Sequence, residues 1–90
     1  MPRYLVERTF PGGLAVSVDD AGAAIWGRVV ERNAPLGVTW IHSYVTDDRE
    51  RSFCVYDGPD PQTVREAAER SDLPVDRISE VRVLDPYFYR

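Results

Sequence analysis

The most reactive side chains in this sequence belong to its one histidine, His42, and its one cysteine, Cys54. An imidazole changes charge near neutral pH and is a common metal ligand. A thiolate is a soft ligand for transition metals. Glu7 is an acidic residue that could complete the shell of ligands around such a metal. These residue types predict a site for a divalent metal formed by His42, Cys54 and Glu7.

Each of these residues also has a purely structural interpretation. His42 could be a strand residue that is satisfied by a hydrogen bond at an interface. Cys54 could be a small buried apolar residue, which is the usual state of a free cysteine and the interpretation we favour for it. Glu7 and Glu80 could pair with arginine, and Arg82 is available for this.

Three aromatic residues accompany the histidine and the cysteine in the sequence: Trp40, Tyr44 and Tyr56. The two tyrosine hydroxyls could position a ligand. Alternatively, the rings could pack at a protein interface with the hydroxyls reaching water, which is a common arrangement for tyrosine. We favour the second interpretation and expect these three residues to line an interface or a ligand pocket.

Other catalytic and binding motifs do not emerge from the sequence. One cysteine and one histidine cannot provide a zinc-type spacing of four ligands. The segment Pro11-Gly12-Gly13 lacks the glycine pattern and the following Lys-Ser/Thr of a phosphate-binding loop. The scattered serines give no Ser-His-Asp arrangement. The sequence therefore assigns no catalytic residue.

Strand-forming and helix-forming segments alternate along the chain. We predict strands over 4–10, 38–45, 52–57 and 78–84, and helices from about 21–33 and from Pro61 to just before Leu73. The order β-α-β-β-α-β predicts an α+β, ferredoxin-like fold with an antiparallel sheet and two helices on one face. Right-handed crossovers place the first and third strands at the centre of this sheet. We call the sheet face without helices the open face.

The register of the predicted hairpin decides which side chains share a face of the sheet. An even-numbered turn would place His42 opposite Val55, so that His42 and Cys54 point to opposite sides. An odd-numbered turn would place Tyr44 opposite Cys54. We prefer the odd register, because it puts Trp40, His42, Tyr44, Cys54 and Tyr56 together on the open face. In the outer strands we expect Leu5, Glu7 and Glu80 on the open face and Val6, Val81 and Val83 toward the helices.

An open face that carries several aromatic rings is too apolar to remain in water. Large exposed apolar patches usually mark an interface, and two-fold homodimers are the commonest oligomers. We therefore expect a homodimer that packs through this face. We also expect the aromatic tail Tyr87-Phe88-Tyr89 to be ordered.

Four stretches of the chain resemble a family of small bacterial proteins described as a domain of unknown function, with members labelled nickel-binding. They are residues 1–8, 37–44, 53–57 and 75–81. The resemblance covers nearly the whole chain and implies a ferredoxin-like dimer that binds nickel at its surface, without a known reaction. Many relatives carry histidines on the second helix where this chain has Val64 and Ala68. A nickel site here would therefore depend on His42, Cys54 and carboxylates such as Glu7.

Length and composition limit the remaining possibilities. The 90 residues suffice for one domain, residues 1–90, and the 43% hydrophobic content is that of a globular protein. A net charge of −4 argues against binding to nucleic acid. No apolar run is long enough to cross a membrane. The single thiol and the absence of a secretory pattern at the N-terminus indicate a cytoplasmic protein.

Three hypotheses for the function remain open. The first is a nickel-binding, metal-sequestering homodimer without catalysis. The second is a dimeric small-molecule-binding protein or enzyme with a pocket around His42. The third is an interaction module. The accessibility of His42 discriminates between the first two, because a surface metal site needs it exposed and a catalytic pocket needs it enclosed.

Overall fold

Strand β1 (Arg3–Thr9) lies inside a four-stranded antiparallel sheet, between β3 (Arg51–Asp57) and β4 (Arg77–Val81). Strand β2 (Thr39–Val45) forms the edge beyond β3. The computed structural model describes residues 2–14 and 20–89 of the chain. Helices α1 (Asp20–Asn33) and α2 (Pro61–Arg70) complete the order β-α-β-β-α-β within this part. The predicted α+β, ferredoxin-like arrangement, with the first and third strands at the centre, is confirmed.

Helix α2 begins where its local sequence predicts. The Asp60 side chain accepts a hydrogen bond from the Thr63 amide at 2.7 Å, and Pro61 occupies the first turn. This cap satisfies an amide that has no partner inside the helix. Val64, Ala67 and Ala68 form the buried face of α2. The cap thus fixes the start of a helix whose small residues lie close to the sheet.

Helix α1 buries only part of the face that its sequence predicts. The spacing of Ala21, Ile25 and Val29, with Trp26 and Val30 beside them, predicts an apolar face toward the core. Val29 is 6% exposed, whereas Ile25 is 40% and Val30 is 47% exposed. The buried positions are Gly22, Val29 and Asn33, and Trp26 is half-buried beside them. This set follows helical spacing, so Val29 and Trp26 were predicted correctly and Ile25 and Val30 were not; the side chain of Ala21 lies outside the described part. Of the two residues that the sequence offers as a cap, Asp19 lies outside the described residues and Asp20 is the first residue of the helix.

A short 3₁₀ turn (Ala34–Leu36) ends the first helical segment, and Gly37 reverses the chain into β2. Gly37 has a φ of 71°, in the left-handed region that glycine adopts without a Cβ clash. Its amide donates to the Ala34 carbonyl at 3.0 Å. This turn delivers Val38, 3% exposed, into the core and sets the position at which β2 enters the sheet.

The core lies between the two helices and one face of the sheet. Alternation along β1 directs Tyr4, Val6 and Arg8 toward the helices, and all three are at most 2% exposed. The rest of the apolar cluster comprises Val38, Cys54, Tyr56, Val64 and Ala67. Leu5 and Glu7 therefore lie on the open face, as the sequence predicts.

The preferred register of the β2–β3 hairpin was wrong. His42 lies opposite Val55, Ser43 opposite Cys54, and the register shifts between Trp40 and His42. This irregularity is a β-bulge, in which Ile41 is the additional residue of β2. As a result, His42 and Tyr44 lie on the open face, whereas Trp40, Cys54 and Tyr56 lie on the helix-facing side. The placement of those last three on the open face is corrected accordingly.

The last strand is shorter than predicted and has the opposite orientation. Strand β4 ends at Val81, which lies opposite Arg3 on the open face, and Glu80 lies opposite Tyr4 on the helix-facing side. Beyond it, the two short strands β5 (Leu84–Asp85) and β6 (Phe88–Tyr89) pair with each other. The tail backbone is thus ordered, but the Tyr87 side chain between these strands is 86% exposed.

Among the described residues, neither helix has the length and apolar character required to cross a membrane.

Candidate functional site

His42 and Tyr44 are exposed together on the open face. Both lie on the edge strand β2, and the two rings meet edge to face with centroids 5.2 Å apart. Tyr44 is 64% exposed. An imidazole in this position is accessible to a metal ion or to a partner protein. The accessible His42 therefore fits a surface site rather than an enclosed catalytic pocket.

Glu7 also lies on the open face, but it is occupied by ion pairs and distant from His42. Its carboxylate oxygens lie 3.5 Å from Arg51 Nη2 and 4.0 Å from Arg77 Nε. Strand β3 separates β1 from β2, so the backbones of Glu7 and His42 are at least about 10 Å apart. The Glu7 carboxylate is thus held by two arginines, and a strand lies between it and the His42 imidazole.

Cys54 is on the other side of the sheet. It is 7% exposed, and its Sγ lies 3.7 Å from Ser52 Oγ, within the helix-facing core. The structure thus places Cys54 as a small buried residue and separates it from His42 and Glu7. Throughout residues 2–14 and 20–89, no group of three His, Cys, Asp or Glu side chains could hold a metal ion.

The rest of the open face combines apolar side chains with cross-strand ion pairs. Leu5, Phe53 and Val55 are half-buried there. Arg3 Nε donates to Asp57 Oδ1 at 3.1 Å on one side of them. On the other side, the Arg51 guanidinium lies over the Phe53 ring at 5.2 Å. This pattern of an apolar centre with a charged rim is the composition of a protein interface.

Trp40 and Tyr56, predicted to line the open face, instead line a cavity beneath α1. The Trp40 ring lies 5.5 Å from that of Trp26, centroid to centroid, and its Nε1 donates to Ser43 Oγ at 2.8 Å. Tyr56 is 4% exposed. The cavity has a volume of about 230 Å³, and Cys54 also borders it. His42 is not one of the described residues that line this cavity.

Arg8 is the buried charged residue of this cavity, which Arg49 also borders, and sequence reasoning missed it. It is 2% exposed, and its guanidinium lies 5.7 Å from the centre of the Tyr56 ring. Burial raises the pKa of the Tyr56 phenol, and the neighbouring Arg8 acts in the opposite direction. The alternation of β1 was the available signal, because Arg8 continues the inward series of Tyr4 and Val6. A charged residue at the end of such a series is ordinarily expected to turn to solvent.

One family model and one solved structure match this chain. Residues 4–81 match the model of the family described as "Nickel responsive protein SCO4226-like". The crystal structure of SCO4226 from Streptomyces coelicolor A3(2) superposes with a TM-score of 0.72. At 16% sequence identity, the match covers 92% of this chain and 99% of that protein. None of the curated proteins matches.

The solved structure supports the ferredoxin-like fold, and the family model covers most of the chain. The described elements from β1 to β4 fall almost entirely within the matched residues. On this evidence, the chain belongs to the SCO4226-like family of nickel-responsive proteins.

Proposed function

We propose that this protein is a nickel-binding homodimer in which His42, on the open face, supplies the imidazole ligand. The observation that carries the proposal is the exposure of the chain's one histidine on an uncovered sheet face, in a family described as nickel responsive. Imidazole nitrogen is a suitable donor for nickel. In this proposal the protein sequesters the metal and does not process a substrate.

Further donors to the metal come from a second copy of the chain. His42 has no ligand cluster around it among the described residues of one copy. A two-fold interface presents each residue of a patch twice, so two copies of His42 belong to the same interface. Glu7 of either copy is a further candidate, although its ion pairs with Arg51 and Arg77 compete with a metal. Buried Cys54 is not part of the proposed site.

The open face is the proposed dimer interface. Tyr44 is 64% exposed and lies opposite Phe53, which forms the half-buried apolar centre of this face together with Leu5 and Val55. Covering these residues with a second copy would remove apolar area from water, which is the main driving force of association. The ion pairs at the rim remain accessible to solvent and orient the two copies.

Native mass spectrometry with and without added nickel tests this proposal, because it reports the dimer and the metal count in one spectrum. The wild-type chain should appear as a dimer that gains nickel. The His42→Ala variant should remain folded and lose most of the nickel. Glu7→Gln serves as the matched variant on the same face, and it should retain more nickel than His42→Ala. A monomeric wild-type chain, or unchanged nickel in His42→Ala, would contradict the proposal.

The cavity does not support the alternative of a pocket around His42. It lies on the helix-facing side, bordered by Trp40 and Tyr56, and His42 is on the opposite side of the sheet. A small-molecule function therefore has to be considered at the cavity itself, separately from nickel.

A further inference from the structure

We propose that the cavity beneath α1 binds a small aromatic carboxylate, with the buried Arg8 guanidinium as its counter-charge. The cavity is a second site, on the side of the sheet opposite to His42. The proposal does not depend on nickel binding or on the dimer.

The first argument is the state of Arg8. Its side chain is 2% exposed and borders the cavity. Within the described part of the chain, its Nε and Nη1 have no hydrogen-bond partner. Buried polar groups in folded proteins are almost always hydrogen-bonded, so two free donors on a buried cation are unusual. Such a group indicates a partner other than the described residues of the chain.

Other arginines of the protein show the contrast. Arg3 pairs with Asp57 at 3.1 Å, Arg51 with Glu7 at 3.5 Å and Arg70 with Glu66 at 3.2 Å. All three are partly exposed, so water solvates part of their charge and a carboxylate partner contributes less to their stability than it would for buried Arg8. The partner of Arg8 among the described residues is Tyr56, whose ring lies 5.7 Å from the guanidinium and whose phenol shares a side-chain hydrogen bond with it. The best-buried of these guanidiniums is therefore the one without a carboxylate among the described residues.

The second argument is the size and lining of the cavity. Its volume of about 230 Å³ exceeds the roughly 150 Å³ of a cavity that accepts benzene, which leaves room for a ring with a short carboxylate arm. Trp26, Trp40 and Phe10 supply aromatic surface for such a ring. An apolar pocket with a few convergent polar groups is typical of a small-molecule site. Here the charged groups are Arg8, which is buried, and Arg49. A guanidinium forms charge-assisted hydrogen bonds with carboxylates, so it selects an anion over a neutral molecule.

The two tryptophans make the proposal measurable. The chain contains two tryptophans, and both line this cavity. Intrinsic fluorescence therefore reports its occupancy without a label. We would titrate the protein with phenylacetate, and in parallel with phenylacetamide, which has almost the same shape and no charge. Phenylacetate should bind about tenfold to hundredfold more tightly, as expected for hydrogen bonds to a charged group.

Two variants test whether Arg8 causes the preference for the anion. Arg8→Met replaces the guanidinium by an unbranched apolar side chain and should abolish the preference for the anion. Arg8→Lys keeps the charge and should retain part of it. Without ligand, Arg8→Met should melt at or above the wild-type temperature, because an unpaired buried charge has been removed.

Four results would overturn the proposal. They are no binding of phenylacetate up to about 10 mM, equal binding of acid and amide, an unchanged preference in Arg8→Met, and a strongly lowered melting temperature of Arg8→Met. The last would mean that contacts within the protein already stabilise the Arg8 guanidinium. If Arg8→Met failed to fold, the comparison of acid with amide in the wild type and in Arg8→Lys would still decide. None of these measurements depends on nickel binding.

Discussion

His42 and Cys54 lie on opposite faces of the sheet, although they belong to paired strands. Cys54 is opposite Ser43, and His42 is opposite Val55, one step further along the hairpin. Successive side chains of a strand alternate between faces, so this single step separates the imidazole from the thiol by the thickness of the sheet. The proposed nickel ligand and the cavity therefore lie on different sides of the sheet.

The first prediction concerns Cys54 and nickel. Cys54→Ala should leave the nickel stoichiometry of the protein unchanged, because the thiol is buried on the side away from His42. The same variant should lower the free energy of unfolding by about 1 kcal/mol through the loss of buried sulfur. Native mass spectrometry and urea denaturation measure the two effects. Loss of nickel from Cys54→Ala without loss of structure would show that the thiol is a ligand of the metal.

The second prediction concerns Tyr44 and the dimer. Tyr44→Glu should raise the dissociation constant of the dimer at least about tenfold, because it buries a charge in the apolar part of the proposed interface. Tyr87→Glu is the matched control, since Tyr87 is also an exposed tyrosine but lies between β5 and β6, outside the four-stranded sheet. Analytical ultracentrifugation measures both. Equal effects of the two substitutions would place the interface elsewhere.

The elements of this fold were predictable from local signals. Asp60 followed by Pro61 marks the start of α2 by the chemistry of its cap, and this signal needs no knowledge of the rest of the chain. Alternation in β1 correctly separated Val6 from Leu5 and Glu7. The order of these elements then leaves few topologies, so the sheet order followed as well.

The candidate site was less predictable, because the two faces of β3 resemble each other. Phe53 and Val55 alternate with Cys54 and Tyr56, so both faces are apolar and the pattern does not identify the core. The bulge at Ile41 shifts the register inside β2, and no glycine marks it. Arg8 is a charged residue in a position that a core normally excludes. For these reasons the cavity could be recognised in the three-dimensional structure but not from the sequence.

The third prediction concerns acid sensitivity. The hydrogen bonds from Thr63 hold the pKa of the Asp60 carboxyl below its ordinary value of 3.8. A lowered folded-state pKa contributes stability above the ordinary value, and this contribution is lost as the pH falls through the folded-state pKa. Asp60→Asn keeps a capping oxygen without the charge, so its melting temperature should fall less than that of the wild type below about pH 4.

Asp60→Ala is the companion variant for that experiment. It removes the cap at every pH and should lower the melting temperature by a few degrees at neutral pH. Circular dichroism melts between about pH 7 and pH 3 measure all three proteins. Parallel curves for the wild type and Asp60→Asn would show that another carboxylate controls the acid transition.

The last prediction concerns the contact between the end of β3 and helix α2, and it compares two glycines. A Cβ added at Gly58 would lie 2.8 Å from Val64 Cγ2 and 3.6 Å from Val38 Cγ2, both of them side chains of the core. Because neither valine can move without disturbing its neighbours, Gly58→Ala should lower the free energy of unfolding by about 1–3 kcal/mol.

Gly27 lies within α1, and an added Cβ there meets nothing within 4 Å. Gly27→Ala should therefore raise the free energy of unfolding by about 0.5–1 kcal/mol, the gain expected for alanine in a helix. Urea denaturation of both variants gives the comparison, and a neutral Gly58→Ala would mean that α2 can move away from the sheet at little expense.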